Sequence, residues 1–136
     1  MLSYFTSESV TSGHPDKLCD KIADSILDEI LRQDPLGHVA SEVAATSNKL
    51  HIMGEITANA SVDYDAIARK IIADTGYSED LMVFNSKTCE ITIDIHEQSP
   101  DIARSINRTE PLDGGAGDQG MMFGYACKET EYLMPC

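Results

Sequence analysis

Leu18, Ile22, Ile26 and Ile30 recur every four residues in the stretch that follows Gly13-His14-Pro15. With Ala23, Leu27 and Leu31 they form an apolar stripe along one side of a helix, and such a stripe must lie against a second apolar layer. Pro15 suits the first helical position, Asp16 belongs in the first turn, and Gly13 or His14 is the cap. Asp20, Asp24 and Asp28, with Lys17, Lys21 and Arg32, fill the opposite, solvated side. Asp34-Pro35-Leu36-Gly37 stops the helix.

The covering layer is predicted to be a sheet. Runs from about Val39 to Thr46 and from about Leu50 to Ala58 read as strands joined through Ser47-Asn48-Lys49, with Leu50, Ile52 and Ile56 on one face of the second. A second helix is expected from about Val62 to Thr75, with Ile67, Ile71 and Ile72 inward and Gly76 as its C-terminal cap. A strand from about Cys89 to Glu97 turns Ile91, Ile93 and Ile95 one way and Glu90, Thr92, Asp94 and His96 the other. Another strand is expected over Met121 to Cys127. The order gives an α+β fold of two layers, with helices packed on one face of a largely antiparallel sheet.

Ten Lys and Arg against 23 Asp and Glu leave the 136-residue chain at −13. That charge repels phosphate backbones and excludes nucleic acid as a general partner. Handling a polyanion therefore requires a local reversal of field from a metal cation, a helix N-terminus or a basic residue. A hydrophobic fraction of 42% is too high for a disordered acidic tail. No apolar run reaches the roughly 20 residues that span a bilayer. The first eight residues have neither a basic start nor an apolar core, so they do not form a secretory signal. Cys19, Cys89, Cys127 and Cys136 are scattered, without metal-ligand spacing, as reduced thiols in a cytoplasmic protein would be.

Four stretches can carry chemistry. Ser12-Gly13-His14-Pro15-Asp16-Lys17 joins an imidazole and a carboxylate to a helix start. His14 there can bind a phosphate oxygen and Asp16 can hold Mg²⁺; a capped helix whose first-turn Asp offsets the dipole accounts for the same residues. If Asn48-Lys49 is a two-residue hairpin loop, Glu42 and Glu55 stand directly opposite each other, and a shift of the loop makes them diagonal neighbours. Two carboxylates so placed suit a bound cation or cationic group, or else lie on a solvated face. Gln98 to Arg108 is either a lid over a site or a surface loop. Gly114 to Gly120 carries four glycines and Asp118, without a standard phosphate-loop pattern, and reads equally as a ligand-hugging turn or a plain one. His38, His51 and His96 need no role, and the six methionines are core filler.

Taken together, Phe5-Thr6-Ser7-Glu8-Ser9-Val10, Gly13-His14-Pro15-Asp16-Lys17, Gly54-Glu55-Ile56-Thr57, Gln98-Ser99-Pro100-Asp101-Ile102 and the Gly114 to Gly120 block leading into Met122-Phe123-Gly124-Tyr125-Ala126 resemble the S-adenosylmethionine synthetase family. The resemblance implies transfer of the adenosyl group of ATP to the sulfur of L-methionine, with release and hydrolysis of triphosphate. It implies that His14 touches the ATP triphosphate as the catalytic residue and that Asp16 binds Mg²⁺. Glu42 would help hold K⁺, while Glu55, Gln98 and Asp118 would bind methionine. Such chemistry requires in-line positioning and a dry pocket, with cations on the departing polyphosphate.

Family subunits consist of three intertwined α+β domains and work as homodimers or tetramers. The resemblance thus implies an N-terminal domain over 1–100, a mobile loop over 101–113 and the cut-short start of a following domain over 114–136. A chain ending at Cys136 would be an incomplete part, inactive alone. The other reading is a catalytically silent module that pairs with a full-length subunit through the shared sheet face.

Overall fold

The structure, a computed structural model, describes residues 4, 6–78, 82–97 and 121–135. The chain divides into two units, Met1–Ser99 and Pro100–Cys136. Among the described residues the regular elements belong to the first, in the order α1 (Pro15–Gln33), β1 (His38–Thr46), β2 (Lys49–Thr57), α2 (Tyr64–Asp74) and β3 (Glu90–His96). Helices and sheet form the two layers expected. The sheet is mixed: β1 and β2 are antiparallel, and β3 lies parallel to β2 on its other side. The difference from a largely antiparallel sheet arises because α2 carries the chain back across one face between β2 and β3, as a parallel crossover requires.

Leu18, Ile22, Ile26 and Ile30 are all buried, as is the Leu50, Ile52 and Ile56 set of β2. Ala68, Ile71 and Ile72 of α2 complete this core, and Val39, Val43, Ala45, Ile91 and Ile95 flank it. Each fully buried Leu or Ile contributes about 1.5–3 kcal/mol through removal of apolar area from water. Leu31, expected in the stripe, is 37% exposed, because it lies at the margin of an arc whose centre runs through 18, 22, 26 and 30.

The helix ends are tied down by polar groups. At the end of α1, Gln33 Nε2 donates to the Ser61 carbonyl and its Oε1 accepts the Ser61 N–H, at 3.1 and 3.0 Å. Asp34 accepts the N–H of Leu36 with one carboxylate oxygen and that of Asn59 with the other. Asp63 caps α2 by accepting the Ala66 N–H. Gly76, at a φ of +108°, closes it: its N–H donates to Ala73 O while the Tyr77 N–H donates to Ile72 O. These two bonds form a Schellman motif, which needs a left-handed residue at that point. Asn85 is buried and satisfied, its Oδ1 accepting the N–H groups of Lys87 and Thr88 and its Nδ2 donating to Met82 O.

In the second unit, Met121 to Cys127 forms no strand. A strand is stabilised by a hydrogen-bonded neighbour and a covered apolar face, and Met121 to Ala126 are exposed, Met122 at 96%. A turn follows, with Cys127 N–H donating to Leu133 O and Thr130 Oγ1 donating to Met134 O. Among the described residues no helix is long and apolar enough to cross a membrane.

Candidate functional site

The start of α1 is built around His14. Residues 11–14 form a turn closed by the His14 N–H donating to Thr11 O at 3.0 Å, and the His14 carbonyl accepts the Leu18 N–H to begin the helix. His14 is itself the N-cap, and its Nδ1 accepts the Asp16 N–H at 3.2 Å. In a neutral imidazole that accepts at Nδ1, the proton resides on Nε2. The cap therefore fixes the tautomer and leaves an N–H directed away from the helix. Pro15 has no amide proton and that of Asp16 is engaged by His14. An anion at this end thus meets the imidazole N–H more than a cradle of first-turn amides. The Asp16 side chain is 86% exposed, with Oδ2 3.8 Å from His14 Nδ1, so its carboxylate is open to solvent and available to a hard cation.

A depression of 330 Å³ runs from Pro15, Asp16 and Asp20 to Val43 and Ala44 on β1. It links the helix start to the strand that carries Glu42. The Cys19 thiol at its wall is held above its usual pKa by burial and by the charges of Asp16 and Asp20.

Glu42 and Glu55 stand on the sheet face turned away from the helices. Thr46 pairs with Lys49, so the hairpin loop is Ser47-Asn48 rather than Asn48-Lys49. Ser47 adopts a φ of +47°, the positive value that tight hairpins require at their first central residue. In this register Glu42 faces Met53 and Glu55 faces Ala40. The direct opposition that an Asn48-Lys49 loop entails does not occur; the carboxylates are diagonal neighbours on one face, and the electrostatic cost of juxtaposing them is smaller. Glu42 is exposed and Glu55 half-buried. On its other side Glu55 faces His96, whose Nε2 lies 2.9 Å from Asp94 Oδ1. His51, on the same face, has a buried Nε2 without a hydrogen-bond partner among the described residues.

Gly54 makes this placement of Glu55 possible. It has a φ of +143°, and a Cβ there would lie 2.0 Å from the Ala40 carbonyl oxygen. β1 thus approaches β2 more closely beside Glu55 than any side chain at 54 permits.

The structure brings His14 together with Asp16 and Glu42 together with Glu55. Gln98, Asp118, the 98–108 and 101–113 loops and the Gly114 to Gly120 block lie outside the described residues. Among the described residues no three His, Cys, Asp or Glu side chains gather at metal-binding spacing. A divalent ion at Asp16 would therefore take most of its ligands from substrate and water, as Mg²⁺ commonly does. For K⁺ at Glu42, one exposed carboxylate supplies a donor of the right chemistry and nothing more. Sequence reasoning missed Tyr77, whose hydroxyl donates to the Gly13 carbonyl at 2.5 Å. It also missed Arg69, which joins α2 to the entry of β3 by donating to Asp65 and to the Ser86 carbonyl. Their partners are up to 64 residues away, beyond any local pattern.

Residues 2–100 match the family model described as S-adenosylmethionine synthetase, N-terminal domain, and residues 113–136 match that of the central domain. The chain is 53% identical over 131 residues to S-adenosylmethionine synthase of Solidesulfovibrio magneticus, covering 96% of this chain and 34% of that protein. It is 53% identical over 136 residues to the synthase of Mesoplasma florum, covering 99% of this chain and 36% of that protein. Against the synthase of Bacteroides thetaiotaomicron the identity is 50% over 131 residues, 96% of this chain and 30% of that protein. The chain spans about a third of the length of these curated relatives.

Proposed function

Because the chain belongs to the S-adenosylmethionine synthetase family, we propose that it contributes one wall of a site where the adenosyl group of ATP passes to the sulfur of L-methionine, with release and hydrolysis of the triphosphate chain. The observation that carries this reading is the hydrogen bond by which His14 Nδ1 caps α1. With Nδ1 occupied by the Asp16 N–H, Nε2–H is the group that donates to a triphosphate oxygen. Asp16 holds Mg²⁺, which when bound supplies positive charge on the departing polyphosphate. Glu55 receives the ammonium of methionine together with Gln98 and Asp118, and Glu42 helps to hold K⁺. The cations reverse, at this spot, the field of a chain of net charge −13.

In this reading the 136-residue chain makes no S-adenosylmethionine alone, and it acts in the cytoplasm within a homo-oligomer. The test is calorimetric titration of the full chain with Mg²⁺–ATP, using His14→Ala and His14→Asn. Asn caps helices well whereas loss of the cap costs about 1 kcal/mol, so only His14→Ala should lower the melting temperature while both variants weaken binding. Unchanged binding in both refutes the assignment of His14. Chromatographic detection of S-adenosylmethionine from ATP, methionine and this chain refutes the inactivity.

One observation favours a second reading. Neither helix covers the sheet face that bears Glu42, His51, Glu55 and Asp94, since both pack on the Leu50, Ile52 and Ile56 side. A silent module would use this face to pair with a full-length subunit. Capture of a full-length synthetase by a chain that does not bind Mg²⁺–ATP selects this reading over the first.

A further inference from the structure

We propose that Tyr77 is a positioning residue for the helix start, its hydroxyl tethering the Gly13 carbonyl so that the 11–14 turn presents His14 in one orientation. The inference rests on the reading of His14 as a polyphosphate ligand and adds to it the residue that aims the imidazole.

The turn has little else to hold it. Among the described residues before Leu18 none is buried, so the stretch that carries His14 has no side chain anchored in the core. Beside the first turn of α1 lies a half-open pocket of 120 Å³ bounded by Pro15, Leu18, Ala45, Tyr77 and Phe84. Packing there leaves slack, and apolar contact alone does not determine where the turn sits. Tyr77, which lines this pocket, donates its hydroxyl to Gly13 O at 2.5 Å. The Gly13 carbonyl belongs to the peptide that joins Gly13 to His14, so the bond acts one rotatable step from the imidazole-bearing Cα.

Tyr77 is itself rigidly held. Its N–H donates to Ile72 O in the closing motif of α2, and its carbonyl accepts the Ser86 N–H at 2.8 Å. Its ring meets Phe84 edge to face, with centroids 5.4 Å apart and planes at 84°. The hydroxyl is therefore presented from a fixed frame built of α2 and the 84–86 segment. Misplacing a group by about 1 Å can lower a rate 100-fold, so a tether on the turn bears on function as much as on stability.

The experiment uses the full 136-residue chain and Tyr77→Phe, which keeps the ring against Phe84 and removes only the hydroxyl. Ile67→Val on α2 is the control for mild destabilisation distant from the turn. Amide hydrogen exchange is read at His14 and Asp16, whose N–H groups close the turn and the cap, and at Ile52 in the central strand. The loss of one net hydrogen bond predicts roughly fivefold to tenfold faster exchange at His14 and Asp16 in Tyr77→Phe, without a matching change at Ile52. Binding of Mg²⁺–tripolyphosphate should weaken about fivefold in Tyr77→Phe and remain as in the wild type in Ile67→Val. Unaltered exchange at His14 overturns the inference, as does accelerated exchange with undiminished tripolyphosphate binding. A wild-type chain that binds no tripolyphosphate overturns instead the reading of His14 as a ligand. In that case faster His14 exchange in Tyr77→Phe still establishes the tether.

Discussion

Replacing Gly54 with Ala sets the close approach of β1 and β2 against a single methyl group. The added Cβ would lie 2.0 Å from the Ala40 carbonyl oxygen, 3.0 Å from its carbonyl carbon and 3.1 Å from Ser41 Cα, all backbone atoms. No rotamer relieves such a contact, so β1 must retreat by about an ångström to regain ordinary van der Waals separation. Alanine must also hold the φ of +143° found at this position. The dihedral alone costs roughly 1–3 kcal/mol. Displacing β1 loosens the pairs Ser41↔Gly54 and Ala40↔Glu55, at about 1 kcal/mol for each ladder hydrogen bond lost. The sum is roughly 3–5 kcal/mol, about a fifth or more of the stability of a typical small domain.

Gly76→Ala is the matched control. Gly76 also has a positive φ, +108°, but nothing lies within 4 Å of a Cβ built there, so it carries the dihedral cost without the clash. Reversible urea unfolding followed by circular dichroism should place Gly54→Ala at least about 2 kcal/mol below Gly76→Ala. Equal losses in the two variants would refute the close approach of Ala40 to Gly54, and with it the account of how Glu55 is placed.

Other perturbations test the remaining layers. Ile26→Ala removes a side chain with no exposed surface and should cost about 2–5 kcal/mol in urea unfolding, whereas Leu31→Ala should cost about 1 kcal/mol or less. Hydrogen bonds from Arg32 and Gln33 pull the Glu29 carboxyl down to about 2, below its unfolded value of about 4.3. Its folded pKa being the lower, the stabilisation is complete above the unfolded value and fades as pH falls through about 2. The melting-temperature advantage of the wild type over Glu29→Gln should therefore shrink between those limits, and an advantage that grows on acidification would contradict the assignment. Burial raises the thiol pKa of both Cys19 and Cys89, only partly offset at Cys89 by Arg69. Iodoacetamide at about pH 8 should label both slowly in the native chain and readily once it is unfolded.

Whatever depends on neighbours along the chain was legible in the sequence. The period of four from Leu18 to Ile30, Pro15 at the first helical position, Gly76 as a C-terminal cap and the alternation Ile91-Ile93-Ile95 each follow from one residue's geometry relative to the next few. They sufficed to place two helices and three strands and to recognise the α+β class. His14 and Asp16 were legible together for the same reason, since a cap and a first turn are local. Glu42 and Glu55 were legible only as a pair of possible registers. A single residue in the hairpin loop decides between opposition and a diagonal, and nothing local in Ser47-Asn48-Lys49 reveals which residue takes the positive φ. Met121 to Cys127 illustrates the opposite limit, for its strand-like composition forms no strand without a ladder partner and a covered face.

Local sequence dictates the helices, the three strands and the capped start of α1, because backbone dihedrals and hydrophobic periodicity act over one or two turns of chain. Folding in three dimensions alone establishes that β3 runs parallel to β2, that Gly54 admits the Ala40 carbonyl, and that Tyr77 reaches Gly13 from 64 residues away. Those relations arise from close packing and hydrogen bonding between segments that the chain brings together only after folding, and the energies involved depend on distances that no local pattern encodes.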